Sequence, residues 1–168
     1  MLWAALRDIK RTTTEWVRLY SKAKRAIRLA EEVQSDQMKY VNLRFLLAVQ
    51  AAEVFHREIY GPAKRSLRVR IDDLVAKLRG VLGFSPDGLN EAFRAKTVRT
   101  RNYYTHFSEQ SSGAVFDSAD MYWASQRLAV MINILALHEI GVESATIRKR
   151  LPYRTSLIRM LKNPRLPF

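Results

Sequence analysis

The sequence predicts an all-α protein: a compact bundle of four or five long helices followed by short C-terminal helices. Apolar residues recur three and four positions apart, which is the spacing of one face of a helix. The 6 Gly and 5 Pro cluster between the periodic stretches, where short turns are expected. No internal repeat and no extended linker divides the chain, so we expect a single domain over residues 1–168.

The first helix is predicted over residues 12–33. Thr12 and Glu15 have the spacing of a capping box, in which a hydroxyl and a carboxylate satisfy the first free amides. Apolar residues mark one inner face: Trp16, Leu19, Tyr20, Ala23, Ile27 and Ala30. Four cations fall elsewhere on this helix: Lys22, Lys24, Arg25 and Arg28.

A second and a third helix are predicted over residues 37–60 and 63–82. The centre of the second, residues 45–52, is apolar on nearly every side, as expected of the most buried helix. Gly61 and Pro62 would end it. The third helix is strongly basic and has an apolar inner face: Leu67, Ile71, Leu74, Val75 and Leu78.

The remaining elements follow the loop of residues 83–88. A fourth helix is predicted over residues 89–104, ending near His106, with Leu89, Phe93 and Val98 pointing inward. Residues 117–120 would cap a fifth helix over residues 121–140, and Gly141 would end it. A short helix over residues 144–150 and a basic tail over residues 153–168 complete the chain.

The charge is the most informative property of the composition. Lys and Arg total 29 against 16 Asp and Glu, which gives a formal net charge of +13. Such a chain repels itself unless it meets a polyanion: a nucleic acid, an acidic partner or an anionic membrane surface. Arg outnumbers Lys, and guanidinium groups bind phosphate in a bidentate manner. A basic surface used only for solubility or for docking a partner is the alternative.

Several classes of protein are disfavoured. Without Cys there is no disulfide, thiolate nucleophile or thiolate metal site. The three His are too scattered to propose a metal site, and we expect no cofactor. The N-terminus does not resemble a signal peptide, and the longest apolar stretch, residues 128–137, is about half the ~20 residues of a membrane span. We expect a soluble, cytoplasmic protein.

One motif carries chemistry: an R-x4-H pattern formed by Arg101 and His106. It joins a permanent cation to a group that titrates near neutrality. RNA cleavage by internal transfer needs a base for the 2′-hydroxyl, an acid for the leaving oxygen and a cation for the phosphorane, but no metal ion. In an Arg-rich chain the pattern also arises by chance, as a helix-terminal His beside a surface Arg.

The geometry of this motif leaves two routes to a common site. Five residues rotate an ideal helix by ~140°, so Arg101 and His106 do not share one narrow face. They converge if the helix ends near Thr105 and His106 turns into a cleft. They also converge if two copies of the motif meet across a two-fold axis.

Three segments in this order resemble the HEPN superfamily, and among its members the Apea-like branch. The first is an apolar run into Glu53, His56 and Arg57, within residues 47–57. The second is the R-N-x-x-x-H segment of residues 101–106, preceded by Arg99 and Thr100. The third is an apolar helix that ends in the Leu-x-x-x-Gly of residues 137–141. The resemblance extends over residues 38–142.

The resemblance implies an activity and a role for three residues. His106 would be the general acid and base, Arg101 would hold the scissile phosphate, and Asn102 would orient the site or contact phosphate. Family members usually form the cleft at a dimer interface, so a homodimer is implied. Larger members carry an N-terminal sensing region that this sequence lacks, so the chain is either an excised domain or a short version, and a regulatory partner is possible.

For several other polar residues the sequence allows two interpretations, one structural and one functional. Glu53 and Arg57 have the spacing of a helical ion pair, but Glu53 and His56 can instead support the cleft. Tyr103 and Tyr104 can stack on bases, although at least one of them should lie in the core. The remaining candidates for RNA backbone contacts, which can equally form a solvated face, are Arg65, Arg68, Arg70, Lys96 and Arg99.

The leading hypothesis is therefore a metal-independent endoribonuclease, acting as a toxin-like effector in phage defence. The competing hypothesis is a non-catalytic helical module that binds RNA or a protein. A basic protein of the membrane surface is a weaker third reading, because the apolar faces of the helices are needed within the bundle.

Overall fold

A computed structural model describes residues 9–35, 39–61, 64–106, 115–151 and 155–164. Within these ranges the chain forms helices and no β-strand, so the predicted all-α fold is confirmed. A 3₁₀ turn at Asp87–Leu89 precedes the fourth helix. The helices are α1 (Ile9–Gln34), α2 (Val41–Tyr60), α3 (Leu67–Leu82), α4 (Glu91–His106), α5 (Ser118–Glu139), α6 (Ser144–Arg150) and α7 (Thr155–Lys162).

Helices α2 and α5 form the centre of the bundle. They pack against each other, α1 packs on both of them, and α3 packs on both as well. Fully buried side chains come from α2, such as Phe45 and Phe55, and from α5, such as Leu128 and Leu135. Both helices are apolar on most sides, as the sequence predicts for α2. None of the described helices is both long and apolar enough to cross a bilayer.

Helix α1 lies on α2 and α5 through six buried side chains, three of which are alanines that let the helices approach closely. These are Leu19, Ala23, Ala26, Ile27, Ala30 and Val33. The helix is kinked at Ala23 (φ −115°, ψ 23°). The predicted inner position of Trp16 is wrong, because its side chain is 39% exposed.

The start of α1 differs from the prediction. The helix already includes Ile9, so Thr12 lies inside it and the predicted capping box is wrong. The hydroxyl of Thr14 donates to the carbonyl oxygen of Lys10 at 2.9 Å. A threonine hydroxyl makes this bond one turn back when the helix continues through it.

The starts of α2 and α3, in contrast, lie later than predicted. Residues 36–38 are outside the described part of the chain, and α2 begins at Val41. Helix α3 begins at Leu67 rather than at residue 63, because Ser66 is its N-cap. The amide of Val69 donates to the Ser66 hydroxyl at 3.3 Å, which satisfies one of the first free amides.

Side-chain caps mark the N-terminal ends of α4 and α5. Before α4, the amide of Phe93 donates to the side chain of Asn90 at 3.0 Å, and this helix runs through His106. Before α5, the amide of Asp120 donates to the carboxylate of Asp117 at 2.7 Å, so the predicted cap is confirmed. The predicted bounds of α6 are confirmed, and α7 lies in the basic tail.

A buried arginine attaches the C-terminal segment to the bundle. Arg127 of α5 has 0% exposure and donates to the carbonyl oxygens of Gly88 at 2.6 Å and Asn163 at 2.7 Å. Its guanidinium also lies 5.5 Å from the ring centroid of Phe93. Burial lowers the pKa of Arg127 to about 10, although Asp120 partly offsets this. Arg127 thereby joins the turn before α4 to the chain after α7.

Gly88 is required where α7 approaches the 3₁₀ turn. A Cβ atom at this position would clash with the carbonyl oxygen of Met160 and lie 2.9 Å from that of Leu161 and 3.1 Å from that of Asn163. All three neighbours are backbone atoms, which cannot rotate away as a side chain does. The glycine is therefore a packing requirement of the C-terminal segment.

We expect Gly88→Ala to lower the free energy of unfolding by about 1–3 kcal/mol, the usual cost of overpacking. Gly80→Ala is the matched control, because a Cβ at this helical position in α3 meets no atom within 4 Å. That substitution should raise stability by about 0.5–1 kcal/mol through helix propensity. Urea denaturation followed by circular dichroism measures both, and equal effects of the two substitutions would contradict the packing role of Gly88.

Candidate active site

The R-x4-H motif lies in the last two turns of α4. Arg101, Asn102, Tyr103 and Tyr104 are half-buried there, and His106 is exposed. The guanidinium of Arg101 donates from Nη1 to Oδ1 of Asn102 at 3.0 Å. Asn102, the next residue along α4, is thus a hydrogen-bond acceptor for the Arg101 guanidinium.

Helix α2 supplies a carboxylate beside the same guanidinium. Nη2 of Arg101 lies 3.6 Å from Oε2 of Glu53, which is an ion pair rather than a hydrogen bond, and about a third of each side chain is exposed. Since a guanidinium has five N–H donors, one hydrogen bond and one ion pair orient it and leave further donors free to bind an anion. The described ion pairs do not include Glu53 with Arg57, so the reading of Glu53 as a partner of Arg57 is wrong.

His106 lies on a different face of α4 from Arg101. The two are five residues apart, which rotates a helix by ~140°, and α4 remains helical through His106. The hydroxyl of Thr105 donates to the carbonyl oxygen of Arg101 at 2.9 Å, one turn back, and the described helix ends one residue later, at His106. Both routes to convergence, within one copy and across a two-fold axis, stay predictions.

Thr100 fixes α4 to the start of α5, a role that the sequence did not reveal. Its hydroxyl donates to the carbonyl oxygen of Lys96 at 2.8 Å and accepts from the amide of Phe116 at 2.9 Å. Lys96 pairs with Asp120 at 3.1 Å and lies 4.9 Å from the ring centroid of Phe116. Lys96 is thus held within the fold, whereas Arg99, its neighbour on α4, is exposed.

The two tyrosines of the motif form an edge-to-face pair, with ring centroids 5.1 Å apart. Tyr104 packs against the hydrophobic core and remains partly exposed, as the sequence predicts for at least one of the two. Tyr103 is also half-buried. Partial exposure leaves ring surface for stacking on a base.

His56 is buried, with 1% exposure, and is bonded through both ring nitrogens. Nδ1 lies 3.1 Å from Nη1 of Arg70, and Nε2 lies 2.7 Å from a carboxylate oxygen of Asp73. A guanidinium only donates, so Nδ1 accepts from Arg70 and the proton is assigned to Nε2, which donates to Asp73. His56 therefore joins α2 to α3. Arg70 is 5% exposed, so the prediction that it contacts RNA is wrong.

The other cations predicted on α3 have carboxylate partners. Arg68 bonds to Asp72 at 3.0 Å and to Glu91, and Arg94 of α4 pairs with the same two acids at 3.0 and 3.1 Å. The hydrogen bond between Arg68 and Glu91 raises the pKa of Arg68 and lowers the pKa of Glu91. Arg65 lies 3.7 Å from Asp73 and is half exposed. Two of the predicted RNA contacts, Arg65 and Arg68, are thus partly neutralised within the fold.

The surface pockets do not coincide with the motif. An open pocket of about 260 Å³ lies between α3 and the ends of α2 and α5, and a smaller one lies between α1, α2 and α5. Arg101 and His106 line neither. Burial, followed by its bond to Glu139, raises the pKa of Tyr60 in the larger pocket. The described part of the chain has no cluster of three or more His, Asp or Glu residues that could hold a metal ion.

The chain matches one family model, described as Apea-like HEPN, over residues 46–146. The matched span covers three fifths of the sequence, including α3, α4, α5 and most of α2. It contains Glu53, Arg101 and His106, and it leaves out α1 and α7. No curated protein and no solved structure gives a significant match.

We expect His56→Leu to lower the free energy of unfolding by about 1–3 kcal/mol, because the buried guanidinium of Arg70 loses an acceptor. His138→Leu is the control, since His138 is exposed near the end of α5 and its loss should change stability by less than about 0.5 kcal/mol. Thermal and urea denaturation measure both. Equal stabilities of the two variants would contradict a structural role for His56.

Proposed function

Because the chain belongs to the Apea-like HEPN family, we propose that it is an endoribonuclease that needs no metal ion, acting as a toxin-like effector against phage. HEPN domains are generally ribonucleases, and membership supports a ribonuclease-type or antiphage role. The observation that carries the proposal is the orientation of Arg101. Its guanidinium is held from two sides, by Glu53 and Asn102, while about a third of the side chain faces solvent.

The chemistry follows from what these groups can do. An imidazole of His106 takes the proton of the 2′-hydroxyl, the 2′-oxygen attacks the neighbouring phosphorus, and the bond to the 5′-oxygen breaks. An imidazolium returns a proton to that 5′-oxygen, and Arg101 stabilises the charge of the phosphorane. The products are a 2′,3′-cyclic phosphate and a 5′-hydroxyl, so atoms and charge balance without a co-reactant.

A homodimer solves the geometric problem of the motif. In one copy, Arg101 and His106 point to different sides of α4. In a two-fold dimer the same surface of both copies meets, so Arg101 of one copy faces His106 of the other. Two such sites form by symmetry, each with one Arg101 and one His106, and the same His106 acts first as the base and then as the acid. Tyr103 and Arg99, both at least partly exposed on α4, would contact the RNA that enters this cleft.

A non-catalytic RNA-binding module is the second candidate, and one observation favours it. No described residue forms a hydrogen bond with His106. Catalytic imidazoles are usually oriented by a second group. In the proposed dimer, the facing copy or the RNA itself supplies that group.

We expect the purified chain to cleave single-stranded RNA in excess EDTA and to leave cyclic-phosphate ends. Arg101→Ala and His106→Ala should each slow cleavage by at least about 100-fold, the usual contribution of a general acid or base. Gel electrophoresis of a labelled RNA measures the rates. Arg79→Ala and His138→Ala are matched controls, because both residues are exposed and lie outside the motif.

Three outcomes are informative. Loss of cleavage in the two motif variants alone supports the proposal. Equal cleavage by all variants would place the activity elsewhere and contradict it. Binding of RNA without cleavage by any variant, including the parent, would establish the binding module instead.

A further inference from the structure

Helix α1 carries a strongly basic surface that lies outside the family match. The helix spans Ile9–Gln34, and the match begins at residue 46. Three acids occur on α1: Glu15, Glu31 and Glu32. Seven cations occur on it: Lys10, Arg11, Arg18, Lys22, Lys24, Arg25 and Arg28.

The cations lie away from the buried side of α1. The helix uses one side to pack on α2 and α5, from Leu19 to Val33. All seven cations are exposed. Five remain when Arg18, which pairs with Glu15, and Arg11, which also has a partner, are set aside, and we call these five the α1 basic face: Lys10, Lys22, Lys24, Arg25 and Arg28. Within the second half of the helix, Lys24, Arg25 and Arg28 recur at intervals of three and four and so lie on neighbouring parts of the solvent side.

These charges are not neutralised by the fold. None of the five forms an ion pair with a described residue, whereas Arg18 pairs with Glu15 at 2.7 Å. Arg28 donates to the hydroxyl of Tyr20 at 3.2 Å, which leaves its charge unopposed. Glu31 and Glu32 follow Arg28 by one turn and form no ion pair with it. This contrasts with the contact between α3 and α4, where Arg68 and Arg94 are bonded to Asp72 and Glu91.

Aromatic side chains lie at the edge of the same surface. The ring of Trp16 is 39% exposed, and its centroid is 6.1 Å from that of Tyr20. Tyr20 in turn accepts the hydrogen bond of Arg28. Cations that bind phosphates beside aromatic rings that stack on bases are the combination found in single-stranded nucleic-acid binding.

We propose that the α1 basic face is an RNA-docking surface, which binds the sugar-phosphate backbone of the substrate outside the catalytic cleft. A row of like charges with few internal partners is stabilised by a polyanion. A membrane is disfavoured, since an interfacial helix needs a broad apolar face and α1 uses that face for the core. The choice of RNA among polyanions rests on the proposed function.

The docking surface is separate from the motif. Helix α1 packs on α2 and α5, whereas α4, which carries Arg101, packs on α2 and α3. An RNA that occupies both must therefore reach from α1 to α4, which lie on different helices of the bundle. Substrates too short to reach α1 would bind weakly, even if their scissile phosphate fits the cleft.

The test measures binding to a fluorescein-labelled single-stranded RNA by anisotropy over a range of salt concentrations. All chains carry His106→Ala, so that the RNA stays intact. The triple variant Lys24→Gln, Arg25→Gln, Arg28→Gln should raise Kd about tenfold and reduce the slope of log Kd against log salt by about 2, which is about 0.7 for each lost contact with a single strand.

Two control triples separate position from charge. Lys24→Arg, Arg25→Lys, Arg28→Lys keeps the charge of the α1 basic face and should keep the affinity. Arg79→Gln, Lys149→Gln, Arg159→Gln removes three exposed cations from α3, α6 and α7, and should change Kd by less than about twofold. Circular dichroism confirms that all three are folded, as expected for exposed positions.

If the two neutralising triples weaken RNA binding equally, the effect is one of net charge in general, and the proposal is overturned. If neither triple weakens RNA binding, the proposal is overturned as well. Vesicles of phosphatidylserine and phosphatidylcholine form the second arm. Loss of vesicle binding with unchanged RNA binding would assign the face to a membrane. This binding measurement does not depend on cleavage, so the two proposals can fail separately. If the parent chain cleaves RNA but the α1 triple variant binds RNA normally, only the docking proposal is wrong. If the parent chain does not cleave RNA but the α1 triple variant binds it more weakly, only the nuclease proposal is wrong.

Discussion

Polar side chains that enter or border the core from helix α2 find their partners on neighbouring helices, because burial takes away part or all of their contact with water. Two of them lie three residues apart: Glu53, which holds Arg101 of α4, and His56, which holds Arg70 and Asp73 of α3. One helix thereby sets the positions of its two neighbours. The Arg101 guanidinium, and with it the proposed phosphate site, is oriented by Glu53 of α2 together with Asn102 of α4.

The need of charged groups for partners also explains which of the excess positive charges are left to bind a ligand. A net charge of +13 describes the whole chain, but the fold distributes it unevenly. Cations of α3 and the start of α4 are bonded to Asp72 and Glu91, and these contacts hold the two helices together. The cations of α1 stay unopposed, apart from the pair of Arg18 with Glu15 and a partner of Arg11. In our account the helices of the family match carry the chemistry, and the helix before them holds the substrate.

The features that the sequence predicts correctly are local. The helical periodicity, the Asp117 cap and the bounds of α6 depend on residues close to one another in the chain. The errors arise where distant segments decide. Arg70 has the sequence environment of a surface cation, but packing of α3 on α2 buries it. Glu53 has Arg57 one turn away, yet its partner is Arg101 on another helix. Nothing near Gly88 reveals that the end of α7 would lie against it.

The measurement that tests the central claim most directly is the activity of a mixed dimer, in which one copy carries Arg101→Ala and the other His106→Ala. The two chains are co-expressed with different tags and purified through both. If Arg101 and His106 act across a two-fold axis, one of the two symmetric sites keeps both residues, and the mixed dimer should recover about half of the parent rate. A mixed dimer as inactive as either variant alone would contradict the account.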